Sequence, residues 1–419
     1  MTVPAFGHQS FLQLGKETTY GTAVAATVKL ELIKDSLKLN RTRLPDPSLT
    51  GNISPRAPYE GPRWGGGTFT VRANFEGMLE IFRGVFGNVV TGAAFDAPAR
   101  DQIFKEGTAL GSSLTLPSYT LQVNRGNVPA NNKSWQYVGC KFVSLKVSGS
   151  AGTGADAIVT LEVGVIFQDA NSNFTFTPAL TFPQTFPVKF DTTGNSQASM
   201  FDDGTTDIPS GLRVRNFEVM VDNPHTAEER LYMGSLLIDE PLRKDYQKVT
   251  WKFTEEFFTR TAFDMYKAGT LGSPRIIFRH PTPLVSHSSS VVTVNAGNTI
   301  TRGAGSFVSD GWAIGDSFDP SSPAAAFIPP GTYVTAVVAL TLTVDQVCTS
   351  SGGTTTVSGG ANREIELRSA FATLTDDPVA PVEGFQSMIA TLNWESSRDD
   401  VTDLSMIVAR IRSAEAALT

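Results

Sequence analysis

The chain has 419 residues, 41% hydrophobic and 18% charged, a composition typical of a globular protein of two or three domains. Its net charge of −7 argues against a dedicated DNA- or RNA-binding surface, because such surfaces need clustered Lys and Arg to displace counterions from phosphates. No apolar run approaches the roughly 18 residues of a membrane span, and residues 1–11 lack the basic and apolar regions of a signal peptide, so we expect no membrane partner.

The chain opens on a polar, Thr-rich segment, GKETTYGTAV, at residues 15–24. It carries no helical stripe of apolar residues and no glycine pattern that would cradle a phosphate. We predict that residues 1–35 form an extended N-terminal arm without a fold of its own.

Two later blocks, beginning at Leu37 and Leu212, show the same order of predicted elements. Each has an alternating strand, a loop rich in Pro, Asp and Arg, a second alternating strand and a short amphipathic helix. The apolar residues that share a strand face are Phe69, Val71, Ala73 and Phe75 in the first block, and Trp251, Phe253 and Phe257 in the second. This repetition predicts a mainly β fold with two copies of one unit. Chance similarity between two generic β segments is the alternative.

The first unit is predicted to span residues 36–190, and the second residues 191–283 and 364–419. The intervening residues 284–363 have short Val/Thr strands separated by Gly, Asn and Asp turns, and almost no charge. We predict that they form a small all-β domain inserted into a loop of the second unit and projecting outward.

The residues indicate no catalytic, cofactor or metal site. The four histidines do not stand at metal-ligand spacing, and no motif of a zinc protease, redox dithiol, serine hydrolase or phosphate-binding loop occurs. The glycines at residues 64–69 are not followed by a predicted helix, and Cys140 and Cys348 make no disulfide framework. The sequence therefore gives no support to an enzyme.

The blocks GKETTYGTAV, LKLNRTRL, GTFTVRANFEGMLEIFRGVFG and YVGCKFVSLKVSG, in this order, resemble the major tail tube protein of long-tailed, non-contractile bacteriophages. The resemblance covers most of residues 11–283 and 364–419. It implies two tandem tail-tube units of β-sandwich or half-barrel form, each with a short helix. The insert resembles, more weakly, a β module that decorates phage structural proteins.

The resemblance also implies a function. Such a chain is a structural virion protein, assembled in the host cytoplasm into stacked rings that form a hollow tail tube through which double-stranded DNA passes without specific binding. Its partners are other copies of itself, the tape-measure protein, the tail terminator and the baseplate or distal tail protein. The N-terminal arm then reaches the next ring, and its expected contact residues are Lys16, Glu17, Thr18, Thr19 and Tyr20.

Two sheets that each have one wet face leave exposed edges, and closure into a ring removes them. With a duplicated unit, three chains supply six positions, although a ring of six chains with the second unit outside the channel stays possible. The polar faces of the inner strands are expected to line the channel: Thr70, Arg72, Asn74, Glu76, Thr160, Glu162, Thr250, Lys252, Thr254, Glu256, Thr391, Asn393 and Glu395. The alternative is that these faces are the solvated outside of a sandwich.

Two other classes of protein share this composition. A surface-exposed carbohydrate-binding or adhesin protein with a β-sandwich fold would also be rich in Thr, Gly and Phe, but it should show clustered exposed aromatic residues on loops. An enzyme on a β scaffold is the third possibility.

Overall fold

The structure is a computed structural model that describes most of the chain. The described residues are 10–46, 48, 57–96, 99–106, 116–126, 134–151, 157–172, 174, 176, 180–183, 187–188, 199–202, 214–256, 261–314, 316–318, 322–328, 332–378, 389–397 and 406–415. Within them the fold is mainly β, as predicted, with two α-helices of eight residues each. No helix in these ranges is long and apolar enough to cross a membrane.

The elements before residue 203 are β1 (Phe11–Lys16), β2 (Val28–Asp35), β3 (Lys38–Leu44), β4 (Tyr59–Arg72), α1 (Leu79–Phe86), β5 (Asn88–Asp96), β6 (Ala99–Lys105), β7 (Tyr119–Asn124), β8 (Ser134–Ser150), β9 (Thr160–Phe167), β10 (Asp169–Asn171) and β11 (Ser199–Asp202). The next are β12 (Val214–Asp222), β13 (His225–Thr226), β14 (Leu242–Arg243), β15 (Lys248–Glu256), α2 (Thr261–Ala268) and β16 (Arg275–Pro283).

The region predicted as an insert contains β17 (His287–Val294), β18 (Gly297–Arg302), β19 (Ser317–Phe318), β20 (Val334–Val338), β21 (Thr341–Cys348) and β22 (Thr355–Gly360). The chain then continues through β23 (Asn362–Arg368), β24 (Ala372–Leu374), β25 (Ile389–Ser396) and β26 (Val408–Ser413).

The segment predicted as an extended arm belongs to the sheet. β1 pairs with β2 and with β7, and Leu12 and Leu14 are completely buried. The carboxylate of Glu17 accepts hydrogen bonds from the backbone N–H groups of Gly139 (2.9 Å) and Gly21 (3.0 Å). The prediction of an arm without its own fold is therefore wrong for residues 10–35, because the alternation around Leu12 and Leu14 forms a strand within the same chain. Residues 1–9 lie outside the described ranges.

Strands of both predicted units share one twelve-stranded sheet. One part of it closes on itself, because the pairings run from β8 through β7, β1, β2, β4 and β9 back to β8. Across the rest, the order is β24, β25, β15, β12 and then β8. β12 and β8 are antiparallel neighbours, with Asn216 opposite Ser150 and Asp222 opposite Ser144.

The two halves of this sheet have the same internal order. The run β24, β25, β15, β12 of the second half corresponds to β8, β9, β4, β2 of the first, and in each half a short helix follows the second long strand. A duplicated unit would have this arrangement. The boundaries given above for the two units stay predictions.

The core is continuous beneath the shared sheet. The predicted apolar residues are buried: Phe69 and Val71 in β4, and Ala73 and Phe75 just beyond its end, are at most 2% exposed. Trp251 and Phe253 of β15 are buried in the same cluster, whereas Phe257 lies outside the described residues. Helix α1 buries seven of its eight residues against this core.

A second sheet has six strands in the order β11, β16, β23, β26, β6, β5, and it carries buried charges. Arg279 and Glu364 pair at 3.0 Å with almost no solvent exposure, and Arg275 pairs with Glu366 at 2.7 Å. Asp101 accepts a hydrogen bond from Arg412 at 2.8 Å, and the arginines lower the pKa of this carboxyl against the effect of burial.

Residues 287–360 form a third sheet of six strands with a separate apolar core that includes Val292, Ile300 and Leu342. This region contacts the second sheet through Tyr333, and also through the Ser317 hydroxyl, which accepts from the Asn362 amide at 2.9 Å. The Tyr333 hydroxyl donates to the Glu364 carboxylate, and its ring lies 4.8 Å from the Arg410 guanidinium. The small β region is thus packed against the second sheet, with Tyr333 as its largest buried contact.

Near the end of the chain, Glu415 gives a pH-dependent contact. Its carboxylate accepts from the Gly77 N–H at 2.7 Å, and burial, with a further contribution from the charge of Glu76, raises its pKa to about 7. Because the pKa of Glu415 is higher in the folded state, its protonated form stabilises the fold. This contribution is complete at pH values below the ordinary pKa near 4.5, and it is lost as the pH rises through 7. We expect Glu415→Gln to reduce the difference in melting temperature between pH 5 and pH 8, while Glu228→Gln on the surface leaves it unchanged. An unaltered pH difference in Glu415→Gln would contradict the assignment.

Candidate functional surface of the shared sheet

The shared sheet has a polar face opposite the core. We define it by the outward side chains of β2, β4, β9, β8, β12, β15 and β25, because their inward neighbours are buried. Its charged members include Lys29, Glu31, Lys34, Arg72, Glu162, Lys146, Arg215, Glu218, Asp222, Lys248, Lys252, Glu256 and Glu395. Basic and acidic side chains are nearly equal in number, so the face is close to neutral.

Most of its charges are paired between neighbouring strands. The ion pairs are Lys34–Glu162 (3.5 Å), Arg72–Glu31 (3.6 Å), Lys146–Glu218 (2.7 Å), Arg215–Glu256 (2.9 Å) and Lys248–Glu395 (3.5 Å). These groups remain partly exposed, so each pair contributes at most about 1 kcal/mol to stability. Their main effect is to leave no strip of uncompensated charge along the face.

Most of the predicted channel residues lie on this face. They are Arg72, Thr160, Glu162, Thr250, Lys252, Thr254, Glu256, Thr391, Asn393 and Glu395. Thr70 is also on it but only 5% exposed, since the register places it between Lys34 and Glu162. Whether the face lines a channel stays a prediction.

Two predicted residues are not on the polar face. β4 ends at Arg72, so the alternation that placed Asn74 and Glu76 outward stops before them. Asn74 is 4% exposed, and its backbone bridges to Pro187. Glu76 pairs with Arg363 at 2.7 Å. Sequence reasoning also missed Lys146 and Glu218, although the alternation in VRNFEVMVD and LKVSG could have identified them.

Of the five residues predicted to contact another ring, Glu17 and Tyr20 pack against their own chain, whereas Lys16, Thr18 and Thr19 are exposed. Glu17 is 5% exposed, and the Tyr20 ring lies 5.9 Å from the Lys141 ammonium. Lys16 ends β1, while Thr18 and Thr19 are exposed in the turn that follows. A contact of this turn with a neighbouring ring stays a prediction.

The segment 224–246, which connects β12 to β15, contacts strands of the first half of the shared sheet. The Arg63 N–H donates to the Leu236 carbonyl at 2.8 Å, and the Gln168 amide donates to the Ile238 carbonyl at 2.7 Å. Lys141, 1% exposed at its side chain, pairs with Glu240 at 2.5 Å. Burial lowers the pKa of Lys141, and Glu240 opposes this shift.

The same segment also presents apolar side chains to solvent. Met233 is fully exposed, Tyr246 is 89% exposed and Tyr232 is 54% exposed. Large apolar side chains exposed on one segment are suited to a contact with another protein.

The described residues contain no group of three or more His, Cys, Asp or Glu side chains that could hold a metal ion. Cys140 and Cys348 are both buried free thiols, and burial raises the pKa of each. These thiols are therefore poor nucleophiles near neutral pH.

The fold defines a β-rich protein whose shared sheet has a charge-balanced outer face. A family model described as phage tail tube protein matches residues 7–396. Because the match spans nearly the whole chain, this protein belongs to the phage tail tube protein family. It is thus a structural component of the phage virion, and membership in a structural family favours a non-enzymatic role. No curated protein matches the chain.

Proposed function

We propose that three copies of this chain close into a ring, that the rings stack into the tail tube, and that phage DNA leaves through the central channel. One observation supports the ring above the others. The two halves of the shared sheet follow each other in the same strand order, with β12 of one beside β8 of the other. A repeat of the same order in the same direction can be continued by further chains around an axis, and continuation removes the open sheet edges.

In this ring the polar face lines the channel. DNA must slide through quickly, so a wall that holds phosphates tightly would slow it. The strand-to-strand ion pairs of the polar face leave few free cations to grip the DNA backbone. This is the property that such a wall requires.

The remaining parts of the proposal follow from the family. Assembly takes place in the host cytoplasm, and the tube meets the tape-measure protein, the tail terminator and the distal tail protein. The exposed apolar side chains of the segment 224–246 supply a surface for contact between rings. In the small β region 287–360, the rings of Phe307, Trp312, Phe318 and Tyr333 are buried, so these four are not available as a platform for a sugar.

Reversing charge on the polar face tests the channel directly. Phage tails carrying Glu162→Lys, Glu256→Lys and Glu395→Lys are expected to assemble but to eject DNA several-fold more slowly, because the wall then attracts phosphate. The defect should ease as salt is raised and screening grows. The readout is the rate of DNA release from purified phage.

The matched control carries the same change of six charges on the small β region, through Lys substitutions at Ser288, Ser290, Ala296, Asn298, Thr335 and Ala336. All six positions are exposed in the described structure. Normal ejection is expected from this control. Unchanged ejection from fully assembled tails of the first variant would mean that another face meets the DNA.

A further inference from the structure

We infer that the contact between neighbouring chains repeats the β12–β8 junction seen within one chain, with Asn40 of one copy lying opposite Thr375 of the next. This inference rests on the proposed three-chain ring, whose ends must meet. The partner is a second copy of this chain, joined head to tail.

The first end is the outer strand edge at residues 35–40, which pairs with no other strand among the described residues. Asp35 lies opposite Phe69 in the first half, and Phe217 lies opposite Phe253 in the second, so Asp35 corresponds to Phe217. Counting along the two strands from this position, Leu39 corresponds to Val221 and Asn40 to Asp222. Val221 is 2% exposed because β8 lies beside it, whereas Leu39 is 40% exposed. The first end therefore shows the exposure expected of a strand that has lost its neighbour.

The backbone hydrogen bonds show which groups of this edge point away from β4, toward a neighbouring strand. The Ser36 N–H points to β4 and donates to the Thr68 carbonyl at 2.8 Å. The next carbonyl, that of Leu37, points away from β4 and accepts from the Arg125 guanidinium at 3.2 Å. The Arg125 side chain thus donates to Leu37 from the position that, in the second half, is held by a backbone N–H of the adjacent strand.

The second end is the outer side of β25. β9 is paired with β8 along Thr160–Ile166. In the described part of the chain, the corresponding side of β25 is paired with β24 at Trp394, Glu395 and Ser396. Thr375 continues this contact, because its N–H donates to the Asn393 carbonyl at 2.9 Å. Since Asn393 corresponds to Gly164, which lies opposite Ser144, Thr375 corresponds to Ser144.

The two helices show the same difference. The Asn223 amide of the second half donates to the Val85 carbonyl near the end of α1, at 2.9 Å. α1 is almost wholly buried, while Tyr266 of α2 is 38% exposed. Among the described residues, α2 has no counterpart of the contact that Asn223 makes with α1.

These correspondences fix a testable pair. Asp222 lies opposite Ser144. The adjacent residue Asn223 donates its N–H to the Val143 carbonyl at 2.7 Å. Since the two kinds of pair alternate along antiparallel strands, Asp222 and Ser144 form a non-hydrogen-bonded pair. Such pairs have Cα atoms about 4.5 Å apart, which is short enough for a disulfide. Asn40 and Thr375 are both exposed, so cysteine is tolerated at each.

The experiment uses the full chain carrying Asn40→Cys and Thr375→Cys, oxidised after assembly and analysed by non-reducing electrophoresis. We expect covalent two-chain and three-chain species that disappear on reduction. The control, Arg41→Cys with Thr375→Cys, shifts the register by one residue and turns the side chain to the other face of the strand, so it should crosslink at least tenfold less.

The outcomes separate the two proposals. Three-chain rings, established by native mass measurement, that show no crosslink between positions 40 and 375 would overturn the inferred register and leave the ring intact. Equal crosslinking by the register-shifted control would also overturn it. Absence of three-chain rings in the unmodified protein would overturn the proposed function and the inference with it.

Discussion

Replacing Tyr333 by alanine is expected to lower the free energy of unfolding by about 3–5 kcal/mol, the range for truncating a buried aromatic side chain. Tyr333 is 6% exposed, and its ring lies 4.8–6.0 Å from the guanidinium groups of Arg410, Arg412, Arg275 and Arg279. Its removal leaves a cavity among these cations and takes a donor from the buried Glu364. The measurement is urea denaturation of the unassembled chain.

Tyr333→Phe is the matched control. It keeps the ring between the arginines and loses only the hydrogen bond to Glu364, which Arg279 also holds at 3.0 Å. We expect this variant to lose about 1–2 kcal/mol. If the alanine variant were as stable as the phenylalanine variant, the small β region would not depend on Tyr333 for its attachment.

The second large effect is expected at the contact between the two halves of the chain. Glu240→Ala leaves the Lys141 ammonium buried without its carboxylate, and breaking a buried ion pair in this way costs about 3–5 kcal/mol. The Glu240 side chain is 34% exposed, so water compensates in part and we expect a loss of about 3 kcal/mol. The midpoint of thermal unfolding reports it.

Two variants bracket this result. Glu229→Ala breaks a surface pair with Lys244 in which both side chains are more than 60% exposed, and it should cost less than about 1 kcal/mol. The double variant Lys141→Met, Glu240→Leu removes both charges and should recover most of the loss, because no charge is then buried without a partner. A double variant less stable than Glu240→Ala would contradict an ion-pair origin.

The sequence predicted the elements that have a strong local period. β4 and β15 alternate cleanly, and their buried faces are those expected. β1 was missed because its alternation spans only six residues and runs into a polar turn. Asn74 and Glu76 were misplaced because period two was extended past the end of β4.

Contacts between distant parts of the chain carry no local signal. Lys141 and Glu240 are 99 residues apart, and Glu76 and Arg363 are 287 apart. Neither pair can be recognised from spacing, since any Lys or Glu on a polar strand face looks the same in sequence. The polar face itself was largely predictable, but its ion pairs depend on the register between strands.

The most direct test of the central proposal is electron microscopy of the purified, assembled chain together with native mass measurement of its smallest closed species. We expect hollow tubes built from stacked rings, each with the mass of three 44.9-kDa chains and six repeated densities around the channel. A closed ring of six chains, or a chain that remains monomeric at concentrations where tubes should form, would contradict the proposed wall.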